Sequence, residues 1–358
     1  MAINESINIP AHPNIYNGYN NRNLRIDFSI PEAGTNEDTG IFVFVPGFGG
    51  HIDSNIYKKM RARFADKYNT VTVQCDYFGS RFMQDTDYFR YNLNNFESLL
   101  TKEDVANLKE NPSNFLTVVS QYEITVPVVA IVDETVNEFV DMSYMQAIDV
   151  VTAIEAVKII LQENQLMFND TRVIGYGQSQ GAYLLHLANK LAPHLFERII
   201  DNAAWVQPAY LNSNRYLYIK YGQTTISMEF DYIAKNLLKD KKSLSLHNIY
   251  KDFNNGAYIY SCLGTTDNLV EVQDKQHAFN NLRYVNFEVI DQSKVDGVIF
   301  KSTNHGLDAN FLELVEYALV KMPKHKNLNK QQVNYIVESS LTQIRVDYSN
   351  GLPIFSLM

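Results

Sequence analysis

Two kinds of hydrophobic pattern alternate along the chain of 358 residues. Short runs that are apolar at nearly every position, such as 41–45 and 173–176, are typical of strands buried on both faces of a parallel sheet. Longer stretches with helical periodicity lie between such runs, and the clearest covers 143–167. The segment 23–30 instead alternates apolar and polar residues, which predicts a half-exposed antiparallel strand.

The same patterns predict a strand–helix alternation over most of the chain. Further strands are predicted at 70–75, 198–205, 257–263 and 283–290. Further helices are predicted at 53–68 and 310–321. Strands that alternate with helices favour a parallel sheet with right-handed crossovers, so the fold class is α/β.

Two blocks, 80–141 and 206–255, interrupt this regular alternation. The first block contains a candidate helix at 96–109, with Thr101 and Asp104 at capping-box spacing, and an extended segment at 124–132. We interpret both blocks as insertions into a single domain that spans 1–358. We expect them to form a cap over the functional site of this domain.

Charge and composition exclude several classes of protein. Asp and Glu number 40 against 31 Lys and Arg, so the net charge of −9 leaves no basic excess for nucleic-acid phosphates. The chain contains no run of about 18 apolar residues, the length that a membrane-spanning helix needs. Its first residues do not resemble a secretory signal. Cys75 and Cys262 each end an apolar run, which favours buried thiols over a disulfide. We therefore expect a cytoplasmic protein, and the oligomeric state stays open.

The segment Gly177-Gln178-Ser179-Gln180-Gly181 carries the most specific chemical signal. It is a G-x-S-x-G motif between a predicted strand and a predicted helix, which is the context of a nucleophile elbow. Ser179 would lie on a sharp, strained turn with its hydroxyl above the edge of the sheet. The glycines are required because side chains there would clash with the neighbouring strand and helix.

A serine hydroxyl is a weak nucleophile, so it needs a general base that a carboxylate orients. In chain order after Ser179, Asp267 follows the apolar run 257–263, and His305 lies in a loop before the last helix. Other candidates compete with these two. The alternative carboxylates are Asp291 and Asp296, and the alternative histidines are His51, His186, His194, His247 and His277.

With these residues in the order Ser, Asp, His, the chain resembles the α/β-hydrolase superfamily from about residue 22 to 322, apart from the two blocks. The resemblance implies an α/β-hydrolase fold, with a mostly parallel central sheet flanked by helices and with inserted cap segments. It also implies that Ser179 is the nucleophile, His305 the base and Asp267 the orienting acid.

The resemblance extends to the loop after the first buried strand. Many members of the superfamily have His-Gly-Phe-Gly-Gly there, where this chain has Pro46-Gly47-Phe48-Gly49-Gly50. It implies an oxyanion hole formed by the backbone N–H groups of Gln180 and Phe48, for which the missing imidazole is not needed. Gly47, Gly49 and His51 are expected to line the pocket.

The expected function is that of a serine hydrolase (carboxylesterase-like) that cleaves a small-molecule ester or acylated substrate through an acyl-enzyme. No cofactor and no metal are expected, since the chain has neither an H-E-x-x-H motif, a clustered Cys/His set, a G-x-G-x-x-G motif nor a Walker A motif. Two alternatives stay open. One is an acyltransferase that uses the same triad on a sugar or alcohol hydroxyl, and the other is a non-catalytic binding protein with this fold.

Overall fold

The computed structural model describes residues 1–84 and 87–358. This part of the chain forms fifteen strands and nine α-helices. The strands are β1 (Ile3–Pro10), β2 (Asn23–Ile30), β3 (Gly40–Val45), β4 (Thr70–Cys75), β5 (Phe89–Tyr91), β6 (Thr125–Ala130), β7 (Val173–Gln178), β8 (Arg198–Asn202), β9 (Arg215–Tyr221), β10 (Thr224–Phe230), β11 (Tyr258–Gly264), β12 (Val285–Ile290), β13 (Asn334–Ser339), β14 (Thr342–Asp347) and β15 (Ile354–Leu357). The helices are α1 (Asn55–Tyr68), α2 (Lys102–Glu110), α3 (Phe115–Val119), α4 (Tyr144–Glu163), α5 (Gln180–Leu191), α6 (Ala234–Leu237), α7 (Leu246–Tyr250), α8 (Val272–Phe279) and α9 (Phe311–Lys321).

Eight strands form the central sheet in the order β1-β2-β4-β3-β7-β8-β11-β12. The strands from β4 to β12 in this order are parallel to one another, and β2 is antiparallel to both of its neighbours. Every residue of β3 and of β4 is buried, as a strand covered on both faces requires. The predicted fold class is confirmed: this is the mostly parallel sheet of an α/β-hydrolase fold, flanked by helices.

The sheet separates two hydrophobic cores. Along β3, Ile41 and Val43 point into the core that contains α4 and α5, while Phe42 and Phe44 point into the core of α1 and α9. This is the period-2 alternation of a strand between two helical layers. The sheet is therefore rigidly held on both faces, and its strand ends are fixed points for a site.

The prediction that β2 is half-exposed was wrong. Both α1 and α4 contact this strand, and most of its residues are buried. Its polar Asp27 is buried because it accepts hydrogen bonds from Arg25 on the same strand and from Arg61 of α1. An ion pair with the covering helix thus replaces water on the polar face.

The two insertion blocks combine into one further sheet, with the strand order β5-β6-β10-β9. β6 of the first block pairs in parallel with β10 of the second. The interpretation of 206–255 as irregular was wrong, since β9 and β10 form a hairpin whose turn begins at Gly222 with φ +59°. In the first block, α2 covers only the second half of the predicted helix, and Thr101 accepts the N–H of Asp104 as its cap.

The last part of the chain forms a third sheet, β13-β14-β15, beyond the region of the expected resemblance. It packs against the body of the protein through Tyr335, whose hydroxyl donates to the carbonyl of Leu191 at the end of α5. The N–H of Phe355 in β15 donates to Nε2 of His12, which follows β1. Across the described ranges, no helix combines the length and the apolar character that crossing a membrane requires.

Candidate active site

Ser179 occupies a strained turn between β7 and α5, with φ 53° and ψ −120°. Its N–H donates to the carbonyl of Asn202 at 2.8 Å. The two flanking glycines permit this turn: a Cβ on Gly181 would lie 2.1 Å from the carbonyl oxygen of Val45, and one on Gly177 would lie 2.4 Å from the nitrogen of Ala182. Such strain persists only where the surrounding structure enforces it.

The structure brings Ser179, His305 and Asp267 together. Nε2 of His305 lies 2.7 Å from Oγ of Ser179, and Nδ1 lies 2.7 Å from Oδ2 of Asp267. These contacts were expected from the sequence and are present. They form because β11, which precedes Asp267, lies two places from β7 in the sheet, so the loops after both strands meet at one edge.

The side chains of Ser179, His305 and Asp267 differ in burial. The Asp267 side chain is fully buried, the His305 side chain is 18% exposed, and Ser179 is 8% exposed. The other oxygen of Asp267, Oδ1, accepts the N–H groups of Leu269 and Val270 at 2.8 and 2.9 Å. The carboxylate is thus fixed by its own turn and shielded from solvent, whereas the imidazole and the serine keep part of their exposure.

Asn202 connects the serine turn to the histidine loop, a role that our sequence analysis missed. Its carbonyl accepts the N–H of Ser179, and its Nδ2 donates to the carbonyl of Gly306 at 3.3 Å. Gly306 has φ +76°, so the loop turns sharply directly after His305. The sole signal in the sequence was a polar residue at the carboxyl end of an apolar strand.

The predicted oxyanion donors flank the serine. Gln180 is the first residue of α5, and its side chain is turned away, since Nε2 donates to Oε1 of Gln146 at 2.7 Å. Phe48 follows β3, and an added Cβ on the adjacent Gly47 would lie 3.5 Å from Cβ of Ser179. Within 1–84 and 87–358, neither the Gln180 N–H nor the Phe48 N–H has an acceptor. Two free N–H groups, one at a helix N-terminus, suit a developing oxyanion.

The remaining pocket candidates lie beside this loop. Gly49 has φ +85°, and the side chain of Gln84 packs on it. His51 is exposed, and it lines with Gly49 a surface cavity of about 560 Å³. The structure does not bring His51 into contact with the serine.

The competing carboxylates and histidines have other partners. Asp291 accepts the N–H of Ser293, and Asp296 accepts the N–H of Val298, so both close local turns. The rings of His247 and His277 pack on each other, and His194 pairs with Glu155. His186 is fully buried and contacts Asp201 and the hydroxyl of Tyr250.

A buried charge network lies behind Asn202. Oδ2 of Asp201 contacts Nε2 of His186 at 2.9 Å and Nζ of Lys275 at 2.8 Å, and all three side chains are fully buried. Burial by itself raises the pKa of Asp201, but the charge of Lys275 and the contact with His186 hold that pKa below its ordinary value. Asp201 also accepts the N–H of Ala204, so the network fixes the turn that follows β8.

The chain is similar to several solved structures, each at low sequence identity and with a TM-score below 0.5. Est1E from Butyrivibrio proteoclasticus, with ferulic acid bound, is 11% identical with a TM-score of 0.46, over 84% of this chain and 95% of that one. An acylaminoacyl peptidase from Pyrococcus horikoshii is 13% identical with a TM-score of 0.49, over 92% of this chain and 43% of the peptidase. A Bacteroides ovatus chain, described only provisionally as dipeptidyl aminopeptidase IV, is 12% identical with a TM-score of 0.48, over 90% of this chain and 36% of that one. This chain thus spans less than half the length of those two.

No curated protein matches the sequence. One family model does, that of the family described as "Protein of unknown function (DUF2920)", and it matches residues 8–236. The matched region contains the first insertion block, residues 206–236 of the second block, and Ser179, and it ends before Asp267 and His305. Because the match extends over more than half of the chain, the protein belongs to the DUF2920 family, and its sheet order and serine turn give it the α/β-hydrolase fold.

Proposed function

We propose that this protein is a serine hydrolase that cleaves a carboxylic ester through an acyl-enzyme. Ser179 is the nucleophile, His305 the general base and Asp267 the acid that orients the imidazole. One observation carries the proposal: two contacts of 2.7 Å connect Oγ of Ser179 through the imidazole of His305 to the carboxylate of Asp267. This is the arrangement that a serine nucleophile needs.

The reaction follows from the geometry. With a proton on Nδ1 that is donated to Asp267, Nε2 of His305 is free to accept the proton of the Ser179 hydroxyl. The alkoxide attacks the ester carbonyl, and the N–H groups of Gln180 and Phe48 stabilise the oxyanion. His305 then protonates the leaving alcohol as its C–O bond breaks. Water, activated by the same imidazole, attacks the acyl-enzyme and releases the acid and the free serine.

The insertion blocks 80–141 and 206–255 serve in this proposal as a cap of the single domain 1–358. Contacts at Phe48 support this role, since its ring lies 5.1 Å from that of Tyr210 and 5.6 Å from that of Tyr232, both in the second block. The first block contributes Met83, whose sulfur accepts the N–H of Gly49. A cap at this position limits the access of water to the acyl-enzyme.

Labelling with a fluorophosphonate probe, together with a panel of p-nitrophenyl esters of increasing acyl length, tests the proposal. The wild-type protein should form an adduct on Ser179 and release p-nitrophenol. Ser179→Ala should lose the adduct and lower kcat by about 10⁴-fold or more, because the hydroxyl forms the covalent bond. Its thermal unfolding should be unchanged.

The matched control is Ser349→Ala, which removes an exposed serine of the C-terminal sheet region. This variant should label and turn over like the wild type. A wild-type protein without an adduct would instead support a non-catalytic binding protein. Turnover by Ser179→Ala within about tenfold of the wild type would remove this serine from the mechanism.

A further inference from the structure

Arg215 is a buried cation in the four-stranded sheet β5-β6-β10-β9, which the two insertion blocks form. It begins β9, in which the alternate residues Tyr216 and Tyr218 are exposed, whereas Arg215 is 8% exposed. The other buried arginine among the described residues, Arg61, forms a salt bridge with Asp27. Within residues 1–84 and 87–358, no carboxylate forms a salt bridge with Arg215.

Aromatic rings surround the Arg215 guanidinium. Its central carbon lies 4.9 Å from the ring of Phe48, 5.6 Å from that of Phe230 and 5.9 Å from that of Tyr210. Cation–π contacts offset part of the cost of burying the charge, but a guanidinium has five N–H donors. One of them donates to the carbonyl of Met83 at 3.1 Å, and the guanidinium also contacts the hydroxyl of Tyr232. The remaining donors are available to a ligand.

Trp205 provides an independent second observation. It is 1% exposed, and its indole Nε1–H is buried with no acceptor among the residues described. Its ring lies 5.9 Å from that of Phe48 and 5.5 Å from that of Tyr210, the same two rings that Arg215 contacts. A buried polar group without a partner is costly. Two sets of unused donors around the same rings therefore call for a ligand with several acceptor atoms and a negative charge.

This cluster adjoins the proposed reaction centre. Phe48 is the residue whose N–H we assign to the oxyanion hole, and its neighbour Gly47 packs against Ser179. An anion held by Arg215 would thus lie on the cap side of the loop that stabilises the oxyanion. A substrate that reaches both places needs an ester carbonyl at Ser179 and an anionic group a few bonds away.

We propose that Arg215, together with Trp205, binds a carboxylate carried by the ester substrate, so that the enzyme selects carboxylate-bearing esters. The inference rests on the proposed hydrolase function and adds the class of substrate to it. A carboxylate fits because it accepts two parallel hydrogen bonds from a guanidinium fork and retains lone pairs for an indole N–H.

Two matched pairs of esters test the selection, one for each side of the scissile bond. On the acyl side, p-nitrophenyl hemiglutarate is compared with p-nitrophenyl valerate, which has the same chain length without the charge. On the alcohol side, 4-carboxyphenyl acetate is compared with its neutral amide, 4-carbamoylphenyl acetate. The wild type should prefer the charged member of at least one pair by about tenfold or more in kcat/KM, as a hydrogen bond to a charged group implies.

Variants then assign the preference to these residues. Arg215→Gln should abolish the preference by lowering kcat/KM for the charged ester alone. Arg215→Lys should retain part of the preference, because the positive charge remains but the two parallel N–H donors of the guanidinium are lost. Trp205→Phe removes the N–H and should reduce the preference by a smaller factor. Arg81→Gln, which changes an exposed arginine paired with Glu138, is the control and should keep the full preference.

The outcomes separate the two proposals. If the wild-type protein has equal kcat/KM values for the two esters of each pair, the carboxylate assignment is overturned. The proposed hydrolase function is unaffected by that result. No turnover of any ester and no fluorophosphonate adduct would overturn both. If Arg215→Gln does not fold, the wild type still decides: monomethyl glutarate should slow labelling of Ser179 more than dimethyl glutarate does, and equal effects would contradict the assignment.

Discussion

At the scale of single residues, the two oxygens of Asp267 have separate tasks. Oδ1 accepts two backbone N–H groups of its own turn, and Oδ2 contacts Nδ1 of His305. The direction of the carboxylate therefore does not depend on the imidazole that it orients. This separation permits a substitution that changes the contact to His305 and leaves the turn intact.

Asp267→Asn should lower kcat for ester hydrolysis by about 10⁴-fold with little change in thermal unfolding. The amide oxygen can still accept the N–H groups of Leu269 and Val270, but the NH₂ group then faces Nδ1 of His305 and favours the wrong tautomer. Steady-state kinetics measures the effect. Asp291→Asn is the control, since Asp291 only closes a local turn, and a comparable loss there would reverse the assignment of the acid.

At the scale of elements, the packing of α5 on β3 sets the position of the serine turn. Gly181, in the first turn of α5, lies against the carbonyl groups of Val45 and Pro46, and an added Cβ would lie 2.1 and 2.4 Å from these oxygens. Those are backbone atoms of a fully buried strand and the loop after it, so they cannot move aside without displacing the sheet edge.

Gly181→Ala should therefore destabilise the fold by several kcal/mol, as overpacking against a rigid backbone does. Gly47→Ala is the matched comparison, because a Cβ there meets its nearest atoms at 3.4 and 3.5 Å, which is ordinary contact. It should cost less than about 1 kcal/mol. Denaturant unfolding measures both, and equal stability of the two variants would contradict the packing argument.

At the scale of the whole molecule, His12 joins the two ends of the chain. Its Nδ1–H donates to the carbonyl of Pro13, and its Nε2 accepts the N–H of Phe355, so the ring must be neutral. Burial, with a smaller contribution from the charge of Arg22, lowers the pKa of His12 to about 4. The unfolded chain, with a histidine pKa of about 6.5, then binds a proton that the folded protein does not.

Stability should consequently fall as the pH falls from about 6.5 towards 4, and this group should contribute about 2 kcal/mol of that loss by pH 5. Burial also lowers the pKa of His186, which acts in the same direction. His12→Gln retains an acceptor for Phe355 and has no charge to gain, so its urea midpoint should depend less on pH over this range. An unchanged pH dependence would show that His12 is not protonated on unfolding.

Much of the site could be predicted because its signals are local in the sequence. The G-x-S-x-G segment around Ser179 demands a strained turn wherever it joins a strand to a helix, and its glycines need no distant partner to be recognised. The candidates Asp267 and His305 followed from chain order, since each comes after a strand or before a helix. The apolar runs likewise identified the parallel sheet, because burial on both faces leaves no polar positions.

Only the tertiary structure decided which residues meet across long distances. The choice of Asp267 over Asp291 as the contact of His305 depends on the order of strands in the sheet, and the link from Ser179 through Asn202 to Gly306 depends on the same order. The pairing of β6 with β10, which brings Arg215 beside Phe48, joins two blocks that each look irregular alone. Local pattern determines a strand or a turn, but a contact between distant segments depends on how all the elements pack together.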